Sequence, residues 1–330
     1  MKTTVIHHSA DYDGIFCREI ARKFLPDAEL IGWDFADEPL EIPHVDTLYI
    51  LDLPCDRPFG FTWDRELHSH RFVPNLVWID HHASSIASHP AGIPGYRIDG
   101  VAACRLAWQW FTHQPLDTMK LSDGSTMLCL PNKQDYLDRK VSEPLAVRLA
   151  GEYDIWDKHD SRADVLQFGL RSRELTEFDW AQMFSTQKPT MEEIEGMIQA
   201  GYQNILEPDG TCAPAVVHGL LKDGAILHRY QQRNDASIMR RSFVQEWEGL
   251  KFLCLNTARC NSLTFAALDI PDTDHDALMG FCFNGKKWTV SLYHAQHRKE
   301  IDLSQIAVKY GGGGHRGACG FTCDKLPFIP

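Results

Sequence analysis

Over the first 160 residues, short apolar runs alternate with segments whose apolar positions recur at helical spacing. That is the rhythm of a mostly parallel sheet covered by helices. The runs Thr3–His7, Glu29–Trp33, Thr47–Leu51 and Leu76–Ile79 predict strands. After the first, the segment Gly14 to Phe24 puts apolar residues at 16, 17, 20, 21 and 24, which mark one face of a helix. A second helix is expected from Val101 to about Phe111. Polar residues fall where they matter: His7, Asp52 and Asp80 each come at or just after a strand end, and open α/β sheets bind ligands beyond the carboxyl ends of their strands.

From Phe178 to Pro214 the pattern turns helical and acidic around Met191–Glu195, then turn-rich at Glu207-Pro208-Asp209-Gly210. This reads as a junction, and the boundaries expected are a first domain at 1–189, a linker at 190–213 and a second domain at 214–330. Beyond it a helix is expected around Ala225–Phe243 and a strand at Leu250–Leu255. Two more strands, Ala277–Phe283 and Lys287–His294, flank Asn284-Gly285, a pair that between apolar runs is a strong hairpin signal. The expected fold class is α/β, an N-terminal domain with a mostly parallel sheet flanked by helices and a smaller mixed α/β domain after it. Neither an internal repeat nor a low-complexity tract is evident.

Composition narrows the function. The 330 residues, 44% apolar and 24% charged, suit a two-domain globular protein. Lys and Arg number 33 against 45 Asp and Glu, a formal charge of −12. Such a chain repels a long phosphate backbone, so any nucleic-acid partner is expected to be short or gripped at one end, and long duplexes are not expected. Neither a signal-peptide pattern at the N-terminus nor an apolar run of membrane-spanning length occurs in the sequence; a cytoplasmic location and no membrane partner are expected. The ten cysteines include no C-x-x-C pair, which argues against a disulfide framework and against structural zinc.

The first strand runs into His7-His8-Ser9-Ala10-Asp11-Tyr12-Asp13-Gly14, with two carboxylates one residue apart. Neighbouring carboxylates repel unless a cation or a shared proton compensates them. A hard divalent ion is one reading; a solvated turn with Asp as a helix N-cap is the other. Three further positions shift the balance: Asp52 in Leu51-Asp52-Leu53, the triplet Asp80-His81-His82, and Asp154 in Gly151-Glu152-Tyr153-Asp154. Together they supply His and carboxylate donors suited to two Mn²⁺-like ions.

With these elements in order, the sequence resembles the DHH phosphoesterase superfamily. The matching parts are His7-x-x-x-Asp11-x-Asp13-Gly14, Asp52, Asp80-His81-His82 and Asp154. The segment Gly311-Gly312-Gly313-Gly314-His315-Arg316-Gly317-Ala318-Cys319-Gly320 resembles the signature of the accompanying DHHA1 domain. The resemblance spans nearly the whole chain. It implies a DHH catalytic domain and a DHHA1 substrate-binding domain with the active site in the cleft between them. It also implies that His7, Asp11 and Asp52 hold one metal and Asp13, Asp52, His81 and Asp154 the second, Asp52 bridging. Mn²⁺ is the expected ion, with Mg²⁺ or Co²⁺ as alternatives. His82 is expected to act at the scissile phosphate or leaving group, and Asp80 to orient a histidine. His8 points away from His7 in a regular strand, so it is expected to have no metal role.

Gly312-x-Gly314-x-x-Gly317 also satisfies the dinucleotide fingerprint, but that motif needs a helix, a strand and an acidic residue about 20 positions on, and 330 − 317 = 13 residues follow. An anion cradle made by Gly312, Gly313, Gly314, His315 and Arg316 is the expectation instead. The function expected is metal-dependent hydrolysis of short 5′-phosphorylated oligoribonucleotides or linear pGpG-type dinucleotides to mononucleotides. Alternatives are a cyclic-dinucleotide phosphodiesterase, a single-strand exonuclease and a nucleotide-binding regulatory module, and a homodimer is left open. Arg105 is expected to be a solvated helix arginine, with contact to a phosphate as the alternative. Asn261, Ser262, His294 and Ser304 are considered for the substrate side, and Trp33, Trp78 and Trp156 are expected to pack into the core rather than stack on bases.

Overall fold

The computed structural model describes residues 2–41, 44–60, 75–112, 117–120, 126–157, 159–185, 190–199, 201, 213–258, 260–267, 270 and 274–328. Residues 202–212, within the expected linker, lie outside them. Contacts divide the chain into two compact units, Met1–Leu227 and His228–Pro330.

In the first unit, β1 (Thr3–His8), β2 (Glu29–Trp33), β3 (Thr47–Leu51) and β4 (Asn75–Ile79) form a parallel sheet in the order β2-β1-β3-β4. The chain steps from β1 to one side for β2 and to the other for β3, so β1 and β3 flank the topological switch point. Period-two alternation divides the sheet's faces. Val5, Leu51, Val77 and Ile79 join one core, while Ile6, Leu48, Ile50 and Trp78 join another. Register aligns the strand ends, with His7 opposite Gly32 and Leu51, and Leu51 opposite Ile79.

The first core is shared with helices α1 (Tyr12–Phe24), α3 (Ala103–Thr112), α5 (Leu145–Asp154) and α6 (Arg162–Leu170). Shorter helices α2 (Ala83–Ser88), α4 (Lys133–Leu137), α7 (Glu177–Met183) and α8 (Met191–Gln199), and the antiparallel pair β5 (Asp117–Lys120) and β6 (Thr126–Cys129), complete the described elements of this unit before α9 (Ala215–Met239). Helix α3 begins at Ala103, two residues later than expected, because the Asp13 carboxylate accepts the Ala103 and Cys104 amides and so defines the helix start. Helix α9 begins ten residues earlier than the sequence pattern suggests. Gly224 within it allows close approach: a Cβ there would lie 2.1 Å from the Val165 carbonyl oxygen of α6.

The second unit carries a mixed sheet in the order β11-β12-β10-β9-β8-β7, made of β7 (Phe243–Trp247), β8 (Leu250–Asn256), β9 (Ala277–Phe283), β10 (Trp288–His294), β11 (Gly313–His315) and β12 (Ala318–Cys323). Only the β8–β9 pairing is parallel. Helices α10 (Ser262–Phe265) and α11 (Leu303–Lys309) belong to it. The Asn284-Gly285 hairpin is present: Asn284 Oδ1 accepts the amides of Lys286 and Lys287, and Gly285 takes φ +94°. The α/β class, with one parallel and one mixed sheet, is as expected. Strand β7 falls in the tail of the helix expected over Ala225–Phe243 and just beyond it, where the helix ends at Met239. The described cysteines are free thiols, and among the described residues no helix is long and apolar enough to cross a membrane.

Candidate metal centre

At the ends of β1, β3 and β4 the side chains singled out from the sequence converge. Asp52 follows β3 with φ +59°, a left-handed conformation that Asp tolerates better than most residues. Its amide donates to the Ile79 carbonyl at 2.9 Å, which fixes the turn against β4. The carboxylate is buried, and Oδ1 forms no hydrogen bond. His81 Nε2 lies 3.4 Å from Asp52 Oδ1, 3.4 Å from Asp154 Oδ2 and 3.7 Å from Asp13 Oδ2.

Asp11 combines the two readings of its turn. It is the N-cap of α1, with Oδ1 accepting the Gly14 amide at 3.0 Å, while Oδ2 lies 3.0 Å from His8 Nδ1. Asp13 is buried with both oxygens on the amino end of α3, 2.8 Å from Ala103 N and 2.7 Å from Cys104 N. A carboxylate oxygen has a second lone pair, so these bonds leave room for a cation.

Three overlapping groups of donor atoms result: His8, Asp11 and Asp52; Asp52, His81 and His82; Asp13, His81 and Asp154. Asp52 and His81 each belong to two of them. His8, which the strand alternation set aside, is in; its Nδ1 is also 3.4 Å from Asp52 Oδ2. Alternation says only on which side of the sheet a residue leaves. His8 is the last residue of β1, and beyond the strand end both sides open onto the same turn.

His7 is placed differently from its neighbours. It is buried, its Nδ1 is 2.8 Å from the His8 carbonyl oxygen, and its ring lies over Gly32, whose ideal Cβ would be 3.3 Å from Cε1. It belongs to none of the three groups of described residues. Gly32 provides the space the ring occupies.

The electrostatics call for positive charge. Burial, then the Asp52 charge, pushes Asp13 up to about 7, and burial, then Asp13, pushes Asp154 well above the carboxylate range. Asp52 goes the other way: burial opposes its charge, but the imidazoles of His8 and His81 hold it down at about 2. Burial likewise opposes protonation of the imidazoles, yet Asp11 and Asp52 raise His8 to about 11, and Asp52, with Asp13, raises His81 to about 10. Burial pulls His7 down to about 4. A buried carboxylate cluster with orphaned oxygens and imidazole donors fits divalent cations with mixed N/O ligation.

Beside the centre, Asp80 is buried and its Oδ1 accepts from the amides of His81 and His82, at 2.7 and 3.2 Å, and is 2.7 Å from His82 Nδ1. That bond raises the His82 pKa against the cost of burial. A cavity of about 290 Å³ opens next to Asp11, Asp13 and Asp154, with Tyr12, Tyr153, Gln167 and Arg171 also in its wall. The sequence reading missed these four, since nothing in their spacing relates them; the tertiary contact of α1, α5 and α6 brings them together.

Other expectations resolve differently. Arg105 is neither solvated nor open to a phosphate: it is buried, ion-paired with Glu143 and hydrogen-bonded to the Tyr136 carbonyl. Asn261 caps α10, Ser304 is bonded to Asp302, and His294 Nε2 is 2.6 Å from the Ile301 carbonyl oxygen. Trp33 and Trp78 are core residues, but Trp156 is exposed and stacks on Tyr153 with centroids 6.2 Å apart.

The glycine segment forms β11, a turn and β12. A Cβ on Gly312 would lie 2.0 Å from the Gly320 carbonyl oxygen, and one on Gly317 would lie 2.5 Å from His294 Nδ1. Gly314 takes φ +129°. Gly313 has open space around it. The Arg316 side chain is exposed, and its Nη2 donates to the Glu300 carbonyl at 3.2 Å. The His315 side chain lies outside the described ones.

No family model and no curated protein matches the chain. Among solved structures it is similar to a pGpG-specific phosphodiesterase from Vibrio cholerae, at 13% identity and TM-score 0.45 over 98% of this chain and 94% of that one. A manganese-bound exonuclease RecJ gives 15% identity and TM-score 0.41 over 98% and 86%. The Thermus thermophilus RecJ with Mn²⁺ gives 16% identity and TM-score 0.42 over 99% of this chain and 50% of that one. At these values the resemblance to DHH phosphoesterases rests on the chain's own residues, above all the Asp13-to-Asp154 cluster around His81 at the switch point of the sheet.

Proposed function

We propose that the chain is a DHH-type phosphodiesterase that hydrolyses short 5′-phosphorylated oligoribonucleotides or linear pGpG-type dinucleotides to mononucleotides with two divalent metal ions. The observation that carries the proposal is the sharing of Asp52 and His81 among three donor groups, the arrangement a bridged pair of ions requires. Asp11 and Asp52, with His8 or His7 as the imidazole donor, would hold one ion, and Asp13, Asp52, His81 and Asp154 the other. When bound, two such ions stabilise charge on the attacking and leaving oxygens of an in-line displacement.

The protein's own groups supply the rest. His82, held by Asp80, whose carboxylate raises its pKa, would give a proton to the leaving oxygen. Asp80 is a positioning residue, fixing ring orientation and tautomer. The backbone of Gly312–Gly314 with His315 and Arg316 is assigned to a substrate phosphate. The net charge of −12 supports a short substrate over a long strand, since extended phosphate contact would be repelled. Manganese is the ion of choice, and a cytoplasmic setting suits such a substrate.

The test is a product profile of purified protein with Mn²⁺, offering a 5′-phosphorylated diribonucleotide, a 24-nucleotide RNA, a cyclic dinucleotide and pyrophosphate in parallel. Rapid cleavage of the diribonucleotide to mononucleotides is expected. Preference for the long RNA or for the cyclic substrate overturns the substrate reading, and turnover of none overturns the enzymatic one.

A further inference from the structure

The cavity beside Asp13 and Asp154 has a wall of a different character from the metal centre. Tyr12 and Tyr153 contribute aromatic surface, Gln167 an amide and Arg171 a guanidinium. Gln167 is buried against the protein and contributes to the cavity wall. Arg171, just past the end of α6, is exposed and has its guanidinium over the Tyr12 ring at 5.8 Å. No carboxylate among the described residues pairs with it.

The volume of about 290 Å³ is at the small end of ligand sites, which run from roughly 300 to 1,000 Å³. It accommodates one nucleoside-sized group and not a strand. A planar amide and a planar guanidinium next to aromatic faces are the groups that pair with the polar edge of a base while its faces are covered. Asp11, Asp13 and Asp154 of the carboxylate cluster line the same cavity, so a nucleotide in it would put its phosphate at the candidate metal centre and leave its base to Gln167 and Arg171.

We infer that this cavity is a nucleoside subsite, in which Gln167 and Arg171 read the base of the nucleotide whose phosphate is held at the Asp11–Asp13–Asp154 end. The inference rests on the phosphodiesterase reading for the nature of the ligand, and its test does not depend on turnover. The Mn²⁺-loaded full chain is titrated calorimetrically with adenosine 5′-monophosphate, guanosine 5′-monophosphate and ribose 5-phosphate. At least one nucleotide is expected to bind about ten-fold or more tightly than the sugar phosphate, a difference of about 1.4 kcal/mol. In Arg171→Ala, at an exposed position, and in Gln167→Leu, that ratio is expected to fall to within about two-fold, with thermal midpoints checking that both variants fold. Equal binding of nucleotides and sugar phosphate by the wild type overturns the inference, as does an undiminished ratio in Arg171→Ala. Base-dependent binding without any diester cleavage sustains the subsite and sinks the phosphodiesterase reading; cleavage without base-dependent binding does the reverse.

Discussion

His82 Nδ1 and Asp80 Oδ1 are 2.7 Å apart, with the carboxylate fully buried behind the ring. The same oxygen accepts the amides of His81 and His82, so one atom orients the loop backbone and the imidazole together. This bond holds the His82 pKa above its ordinary value. Replacing Asp80 with Asn keeps the shape and removes the charge. If His82 donates a proton to the leaving oxygen, Asp80→Asn is expected to lower kcat by about 10²-fold, within the usual span of acid–base effects. The alkaline limb of the pH–rate profile is expected to move to lower pH, because the imidazolium gives up its proton earlier. Equal kcat losses at all pH values, with no movement of that limb, would leave Asp80 a structural residue only.

Asp52 and His81 tie the donor groups together, so Asp52→Ala is expected to remove tight binding of both ions rather than of one. Turnover is expected to fall on the order of 10³-fold, about 4 kcal/mol of transition-state stabilisation. Mn²⁺ titration of the variant by calorimetry checks it: retention of two tight sites contradicts the bridge.

The glycine segment offers a matched pair. A Cβ at position 312 meets the Gly320 carbonyl oxygen at 2.0 Å, and one at 313 meets nothing within 4 Å. Gly312→Ala is expected to destabilise the protein by about 2–3 kcal/mol through overpacking against the backbone of β12, whereas Gly313→Ala stays within about 0.5 kcal/mol. Urea unfolding of the two variants decides it, and equally small losses in both would mean that the segment is tolerant.

Asp160, which belongs to none of the three donor groups, supplies a further pH dependence. Burial opposes its charge, but Arg162 and Arg148 outweigh that and hold it at about 2, below its ordinary 3.8. A folded-state pKa below the unfolded one adds stability that is complete above about pH 4 and is lost as pH falls through about 2. With Arg162 partly exposed, that contribution is roughly 1–2 kcal/mol. Asp160→Asn is accordingly less stable by that amount at pH 7, and the gap to wild type narrows below pH 4; a gap independent of pH would assign it to lost hydrogen bonding instead.

The strands around the site were legible because β1, β3 and β4 each end an apolar run on a polar residue, and the parallel sheet gathers such ends at one edge. The hairpin at Asn284-Gly285 was equally plain, since its turn chemistry is local. Helix α9 was less so: its start at Ala215 lies ten residues before the expected Ala225, and the close approach of Gly224 to the backbone of α6 is a tertiary contact. Arg105 was misread for a related reason, as its buried partner Glu143 is 38 residues away.

What the sequence determined by itself is the set of chemical groups at the strand ends: Asp11, Asp13, Asp52, the Asp80-His81-His82 word and Asp154, together with the alternation that buries the sheet. What only the tertiary structure decided is which of them share space. It brought His8 to Asp11 and Asp52, turned the His7 ring over Gly32, and assembled Tyr12, Tyr153, Gln167 and Arg171 into one cavity wall. Periodicity fixes the side on which a residue leaves its own element, but the distance between groups on different elements is set by packing, and no single segment contains that information.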